Sequence, residues 1–361
     1  MMKIGILTYY FVHNYGAILQ AYGVQCVLES MGHEPVFLTF SRNYDHLPVG
    51  AEKKYNLSIK SVPLLTKYFF DNGAGTFYYN YIKRNRLHAF STTKMKMGER
   101  YSDAKTDAVL IGSDEVFAIN VGLNPFLFGH DIPVDNIFSY AASFGSSRTQ
   151  DIRDAGCEEV INSGLRRLYR IGVRDITTKN MVEEISGCEA TLNCDPVILY
   201  GYHDEIAKAR AIKPKENYII IYSYDRNFNS FHDIEAIKKF ARKERYKIYS
   251  VGYYHKWCDK NIMCSPIEMI DYFYNAKLVV TDTFHGSVIS IITNTPLMVR
   301  LTKQNQKVEY LLSQYGLEDH LTNDINDINR LYQLKTDYKK INEIVAEERR
   351  KSLKYLQECL E

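Results

Sequence analysis

The chain has 361 residues, of which 45% are hydrophobic. That is about two domains' worth at ~100–200 residues each, with apolar content for two cores, so an intrinsically disordered chain is excluded. Lys plus Arg number 45 against 43 Asp plus Glu, a formal charge of +2, which gives no general electrostatic reason to bind nucleic acid or an anionic bilayer. Any anion site must be local.

The seven cysteines are scattered, odd in number and without a C-x-x-C pair, so they indicate neither a disulfide framework nor a thiolate metal cage. No apolar run approaches ~18 residues, and MMKIGILTYYF is too short and too polar beyond Tyr10 for a secretory signal. The expectation is a soluble protein of the cytoplasm.

KIGILT (3–8) reads as a strand. In the segment that follows, Ile18, Ala21, Gln25, Leu28 and Met31 recur at helical spacing, with Asn14 as N-cap and Gly32 as the stop. PVFLTF is a second strand, giving a βαβ opening inside a parallel sheet. Residues 42–105, rich in Tyr, Lys and Asn, fit a mobile insertion or lid as well as regular structure, with Tyr68, Phe77, Tyr78, Tyr79 and Tyr81 as aromatic candidates for sugar contact. Strands return at 107–111, at 136–142 and within RRLYRIGVRD (166–175). TKNMVEEISG is a short helix and TLNCDPVIL a last strand with a proline exit. Residues 200–216 turn polar and basic and read as a linker. A second alternating series occupies 217–324: NYIIIYSYD, SFHDIEAIKKFARKE, YKIYSVGYY, SPIEMIDYFYNA, KLVVTD, HGSVISIITN and TPLMVRL. Residues 325–361 carry apolar positions at helical spacing and read as an amphipathic helical clasp. The fold class is therefore α/β, with two Rossmann-like domains (1–199 and 217–324) facing a cleft at their strand ends.

Four strand-end segments place polar groups and glycines where ligands bind in such folds. HNYGA (13–17) offers Asn14 and the backbone of Gly16 and Ala17 at a helix start, either an anion cradle or a plain turn. GSDEV (112–116) offers Ser113, Asp114 and Glu115; Asp114 is a base, a holder of hydroxyls, or an N-cap. VRD (173–175) offers Arg174, either a planar fork for phosphate or carboxylate or the partner of Asp175 in a surface ion pair. TDTFHG (281–286) offers Asp282, Thr283, His285, Gly286 and, one residue on, Ser287. There the histidine is a proton donor near an anion site, or a structural imidazole. Arg148, in FGSSR just after a strand, is a further anion-binding candidate.

The landmarks KIGILTYYFVHNYGAILQAYGVQ, VLIGSDEVF, SYAASFG, GVRD, CDPVIL and VTDTFHGSVISIITNTPLMV, spread from residue 3 to about 300, together resemble the polysaccharide pyruvyl transferase family, in particular its branch with an N-terminal NYGAxLQAY pattern. The resemblance implies a fold similar to the GT-B glycosyltransferases. It also implies transfer of the enolpyruvyl carbons of phosphoenolpyruvate, the donor substrate, to two hydroxyls of a sugar as a cyclic ketal. No metal and no further cofactor are expected. The implied acceptor is a cell-surface polysaccharide, such as a capsule or exopolysaccharide, or its lipid-linked precursor, with the enzyme in the cytoplasm and peripheral association with the membrane's inner face as an open expectation. His285 and Arg174 match the family's histidine and mid-chain arginine, and Asp114 lies on its Gly-Ser-Asp turn. Better-known members carry an arginine two residues before the histidine, where this chain has Thr283, and GSDQVW where it has GSDEVF. These departures bear on how the donor is held.

On this reading His285 is the acid that protonates the donor's methylene carbon, and Asp114 binds or deprotonates the sugar hydroxyl. Arg174, the Gly16/Ala17 turn and the helix start at 285–287 hold the donor's anions. Two rival readings use the same fold: a nucleotide-sugar glycosyltransferase, with Glu268 and Asp271 near a ribose, and a non-catalytic glycan- or phosphate-binding relative.

Overall fold

Uninterrupted apolar runs such as IGIL and AVLI, with no alternating polar face, are the mark of parallel strands covered by helices on both sides. They form two such sheets here. The computed structural model describes residues 1–41, 62–120, 122–224, 226–301 and 305–361, and the side chains of 62–72 are outside that description.

The first half runs β1 (Lys3–Leu7), α1 (Tyr15–Ser30), β2 (Glu34–Thr39), α2 (Val62–Lys94), β3 (Met97–Arg100), β4 (Ala108–Ile111) and β5 (Ile137–Ser139). It continues with α3 (Thr149–Asp154), α4 (Glu158–Arg167), β6 (Ile171–Val173), α5 (Ile176–Ser186), β7 (Ala190–Leu192), α6 (Pro196–Tyr200) and α7 (His203–Ala211). The strand order is β3-β2-β1-β4-β5, all parallel, and the β6-β7 pair extends it through bridges from Phe138 to Arg170 and from Ala142 to Val173.

The second half runs β8 (Tyr218–Tyr222), α8 (Phe231–Glu244), β9 (Lys247–Val251), β10 (Lys260–Ile262), α9 (Pro266–Asn275), β11 (Val279–Thr281) and α10 (Phe284–Thr293). It closes with β12 (Leu297–Arg300), α11 (Gln306–Gln314), β13 (Leu321–Thr322), α12 (Ile328–Tyr332) and α13 (Tyr338–Leu360). Its parallel sheet has the order β10-β9-β8-β11-β12-β13. In each sheet the order reverses beside the first strand, between β1 and β4 and between β8 and β11, which opens a crevice at the carboxyl ends of those strands.

The two halves share one apolar cluster. It passes from Ile4 and Ile6 through Leu19 and Val24 of α1 and Val197 and Ile198 of α6 to Val288 and Ile289 of α10, and on to Tyr355 and Leu356 of α13. A buried tyrosine ties the same seam: the Tyr15 hydroxyl donates to the Cys264 carbonyl at 2.7 Å.

Two expectations from the sequence need correction. Within TLNCDPVIL only Ala190–Leu192 is strand, because Asp195 caps a helix that begins at Pro196. Proline at the first helical position is favourable rather than disruptive there. The polar stretch read as a linker contains α7, which is held to α9 by the Asn275 side-chain amide on the Ala209 carbonyl at 3.2 Å. Of the readings left open for 42–105, the described part takes that of regular structure. Residues 42–61 and the Tyr68 side chain lie outside the described residues, but beyond a break at Gly73 (φ 79°) α2 packs between the halves. There Tyr79 donates to the Ile262 carbonyl at 3.0 Å, the Lys83 ammonium to that of Gly252 at 2.6 Å, and the Gln25 amide to that of Lys94 at 3.0 Å. Tyr79 is buried, whereas Phe77, Tyr78 and Tyr81 are exposed. Among the described residues no helix is long and apolar enough to cross a membrane.

The last helix returns to the first half. The Tyr355 hydroxyl donates to the Ser139 carbonyl at 2.8 Å, Ser352 Oγ accepts from the Cys194 N–H at 2.9 Å, and Arg349 donates to the Leu199 carbonyl at 2.9 Å. Leu356, 1% exposed, sits in the shared apolar cluster. Leu356→Ala is therefore expected to cost about 2–5 kcal/mol of stability, read as a lowered denaturation midpoint. An unchanged midpoint would mean that α13 is not part of the core.

Candidate active site

The first half presents its strand ends at Asn14, Asp114, Arg174 and Asp195, and the second half presents Tyr222, Asp282, Thr283 and His285. Tyr222, Asn14, Asp114, Arg174, Asp282, Thr283 and His285 line one cleft of about 350 Å³, joined by Tyr224, Tyr253 and Lys307. Glu115 and Ala17 also line it.

At its floor is a buried charge cluster. Arg174 Nη1 donates to Asp195 Oδ2 at 3.1 Å, and Nη2 stands 3.7 Å from Asp114 Oδ1. The Phe284 ring covers the guanidinium at 4.3 Å, a cation–π contact. Burial alone would lower the pKa of Arg174, but the carboxylates of Asp195 and Asp114 outweigh it and keep the group charged. Arg174 is thus a buried fork with its Nε unpartnered, not the surface partner of Asp175, whose carboxylate instead caps α5 through the Thr178 N–H at 2.8 Å. Asp114, held at φ 75° on the strand-end turn, caps no helix; its carboxylate is partly open to the cleft.

Asp195, wholly buried, has three relations. Its Oδ1 accepts from the Val197 N–H at 2.9 Å, and its Oδ2 accepts from Arg174 and lies 3.8 Å from His285 Nε2. That imidazole nitrogen has no hydrogen-bond partner. Burial holds the pKa of His285 below its ordinary value despite the nearby carboxylates of Asp195 and Asp114. Near neutral pH the unliganded imidazole is therefore neutral, and the acid role expected from the ordinary histidine pKa requires a bound anion to restore the proton.

Several candidates have local duties instead. Asn14 Oδ1 accepts from the N–H groups of Gly16 at 2.9 Å and Ala17 at 3.4 Å, so those amides serve the helix cap rather than an anion. Thr283 does the same for Gly286 at 3.0 Å, and the Ser287 N–H donates to the Thr283 carbonyl at 3.3 Å. The anion-cradle reading of both helix starts is corrected accordingly. Gly16 matters for another reason: a Cβ there would lie 2.2 Å from His285 Cγ. Arg148 is an exposed residue paired with Asp151 at 2.8 Å, does not line the cleft, and is removed from the site. Ser113 is buried with its hydroxyl unpartnered. The Asn227 side-chain amide donates to Asp282 Oδ2, and burial raises the pKa of Asp282. Glu268 and Asp271, the ribose candidates of the glycosyltransferase reading, line a different pocket, and Glu268 is engaged in capping α9.

Asp195 and Lys307 were not singled out by sequence reasoning. The signal for Asp195 was present in CDPVIL, an aspartate before a proline that starts a helix. Lys307 lies on α11, outside the motifs, and crosses the cleft mouth to pair with Glu115. Among the described residues no group of three or more His, Cys, Asp or Glu side chains could hold a metal ion.

Two parallel-stranded halves with a polar site between their switch points define an α/β protein of the GT-B type. Consistent with that, the chain superposes on UDP-GlcNAc 2-epimerase from Neisseria meningitidis bound to UDP-GlcNAc (10% identity, TM-score 0.52, 100% of this chain and 99% of that one). It also superposes on the Methanocaldococcus jannaschii UDP-GlcNAc 2-epimerase in complex with UDP-GlcNAc and UDP (12%, 0.51, 96% and 99%). At such identity the likeness is one of fold alone. A model of the polysaccharide pyruvyl transferase family matches residues 14–300, and the chain belongs to that family. Comparison with curated protein sequences gives no match.

Two outcomes follow from this geometry. Gly16→Ala pushes a methyl group into the His285 ring and is expected to lower turnover by about 10²-fold, the scale of an ångström's misplacement, while the protein still folds by circular dichroism; wild-type rates would show the contact to be unimportant. The lowered pKa of His285 means that below ~6.5 the unfolded chain binds a proton that the folded protein refuses, so this residue makes stability fall as pH falls from ~6.5 toward the folded value. His285→Asn should flatten the stability profile between pH 7 and pH 5, measured by urea denaturation, and an unchanged profile would contradict the shift.

Proposed function

We propose that this cleft carries out pyruvate transfer onto a polysaccharide, with phosphoenolpyruvate as donor and two hydroxyls of one sugar as acceptor. The observation that carries the reading is the convergence of Arg174, Asp195 and His285, from different strand ends, in a chain of an enzyme family that performs this transfer.

The donor bears a phosphate and a carboxylate, and a planar guanidinium suits either bidentately. Arg174 is pre-positioned for this, because Asp195 and Phe284 fix its plane and leave it no rotamer freedom to lose. Lys307 is a second cation at the mouth, exchanging Glu115 for the donor's anion. The incoming negative charge raises the pKa of His285, which then donates its proton to the methylene carbon. The first sugar hydroxyl adds to the cationic carbon as its proton returns to the imidazole. Phosphate leaves, and the second hydroxyl closes the ketal, its proton passing by way of Asp114 to the phosphate. Two hydroxyl protons thus end on the new methyl group and on the phosphate. Charged side chains and tyrosine rings line the cleft together, a mixture that suits the hydroxyls and C–H faces of a glycan.

Phosphoenolpyruvate should raise the melting temperature, and a panel of nucleotide sugars should not; the reverse result would favour a glycosyltransferase. Arg174→Lys is expected to weaken phosphoenolpyruvate binding by about tenfold or more in calorimetry, since the ammonium keeps the charge but loses the fork. His285→Asn is expected to melt near the wild type and lose about 10²-fold in rate. An Arg174→Lys protein that binds the donor as the wild type does would remove Arg174 from the donor site.

A further inference from the structure

Beside the cleft lies a second hollow of about 790 Å³, walled by the break in α2 and by the loops after β8 and β9. Trp257, the single tryptophan of the chain, lines it with Tyr254, Arg226 and Lys256. Gly73 and Gly75 also line it: a Cβ on Gly73 would meet nothing within 4 Å, and Gly75 lies so close to the Tyr254 hydroxyl that a Cβ there would come within 2.4 Å of it. The volume is within the ~300–1,000 Å³ of small-molecule sites.

The hollow and the cleft share a wall. Tyr224 and Tyr253 line the cleft, while Arg226 and Tyr254, two residues and one residue further along the chain, line the hollow. The two loops are tied together across that wall. Asn227 donates its side-chain amide to Asp282 on the cleft side, and its carbonyl meets His255 Nε2 at 3.3 Å. The His255 ring stands edge-on to Trp257 at 5.8 Å, and the indole N–H donates to Asn229 Oδ1 at 3.2 Å. The indole is therefore fixed by its polar edge, half-buried, with part of its surface turned to the hollow.

Arg226 and Lys256 are exposed, and neither forms an ion pair with a described residue, whereas Arg174 and Lys307 in the cleft are both paired. A fixed aromatic plane suits the C–H face of a sugar ring, and two cations at its side suit an anionic group on the same molecule. A neutral sugar would leave the cations unused, and a bare anion would leave the indole unused.

We propose that this hollow is an acceptor subsite that holds one sugar ring against Trp257 and an anionic group of the same glycan, a phosphate or a carboxylate, on Arg226 and Lys256. The assignment rests on the pyruvyl-transfer reading, in which the sugar to be modified lies in the adjoining cleft and a neighbouring unit of the glycan extends over the wall.

Because Trp257 is the only tryptophan, its fluorescence reports on the hollow. N-Acetylglucosamine 1-phosphate, glucuronic acid and neutral N-acetylglucosamine would each be titrated into the full chain, with phosphoenolpyruvate affinity measured separately by calorimetry. The expected result is a saturable fluorescence change in which one of the two charged sugars binds at least tenfold more tightly than the neutral one, and which of them does so names the anion. Arg226→Ala should weaken that binding by about tenfold, the scale of one charge-assisted hydrogen bond, and leave phosphoenolpyruvate affinity as it is. If neither charged sugar gives a saturable change, or Arg226→Ala binds as the wild type does, the subsite is overturned while intact donor binding leaves pyruvyl transfer standing. Failure of the wild type to bind phosphoenolpyruvate would overturn the transfer reading, and the acceptor assignment with it.

Discussion

A guanidinium buried as deeply as that of Arg174 persists only if its charge is met, and the carboxylate of Asp195 meets it at 3.1 Å. Asp195 is itself immobile because its other oxygen caps α6, and α6 packs against α1 so closely that a Cβ on Gly23 would lie 2.9 Å from the Pro196 carbonyl oxygen. The same α1 brings Gly16 against the His285 ring. One buried ion pair therefore links helix capping, helix packing and the placement of both reactive groups. The pair does not need to add net stability to have this effect, since its two ends are fixed by independent elements.

The site also depends on both halves being present. Arg174, Asp195 and Asp114 belong to the first sheet's edge, and His285, Asp282 and Lys307 belong to the second domain. The shared apolar cluster and the Tyr15 hydrogen bond hold the two sets at fixed distance. The α2 helix reinforces the seam at Lys83 and Tyr79. Domain closure of the kind that two-domain folds permit would here have to work against a continuous core rather than about a loose hinge.

Most of the architecture was legible because parallel strands buried on both faces are continuous apolar runs, and helices such as α1 and α10 carry a polar cap residue directly before an apolar stretch. His285, Arg174 and Asp114 were legible as candidates for a related reason: each follows a strand, where a parallel sheet exposes its ligand edge. What stayed hidden was partnership. HNYGA shows an Asn and a Gly at a helix start, but not that the Asn consumes the amides and that the Gly makes room for a histidine far along the chain. Arg148 has the same local look as Arg174, and only the tertiary fold separates the solvated residue from the buried one. Short elements such as β6, β7 and α7 were blurred because three to nine residues are too few for periodicity to tell a strand from a helix or a linker.

The return of α13 to β5 and β6 changes what the two halves are to one another. The chain leaves the first unit after α7, builds the second, and comes back to complete the first with Tyr355 and Leu356. In topological terms the second domain is an insertion within the first. During synthesis the first unit can thus be completed only after the second has been made: the edge around Ser139 and Cys194 must wait, incompletely covered, until α13 has left the ribosome.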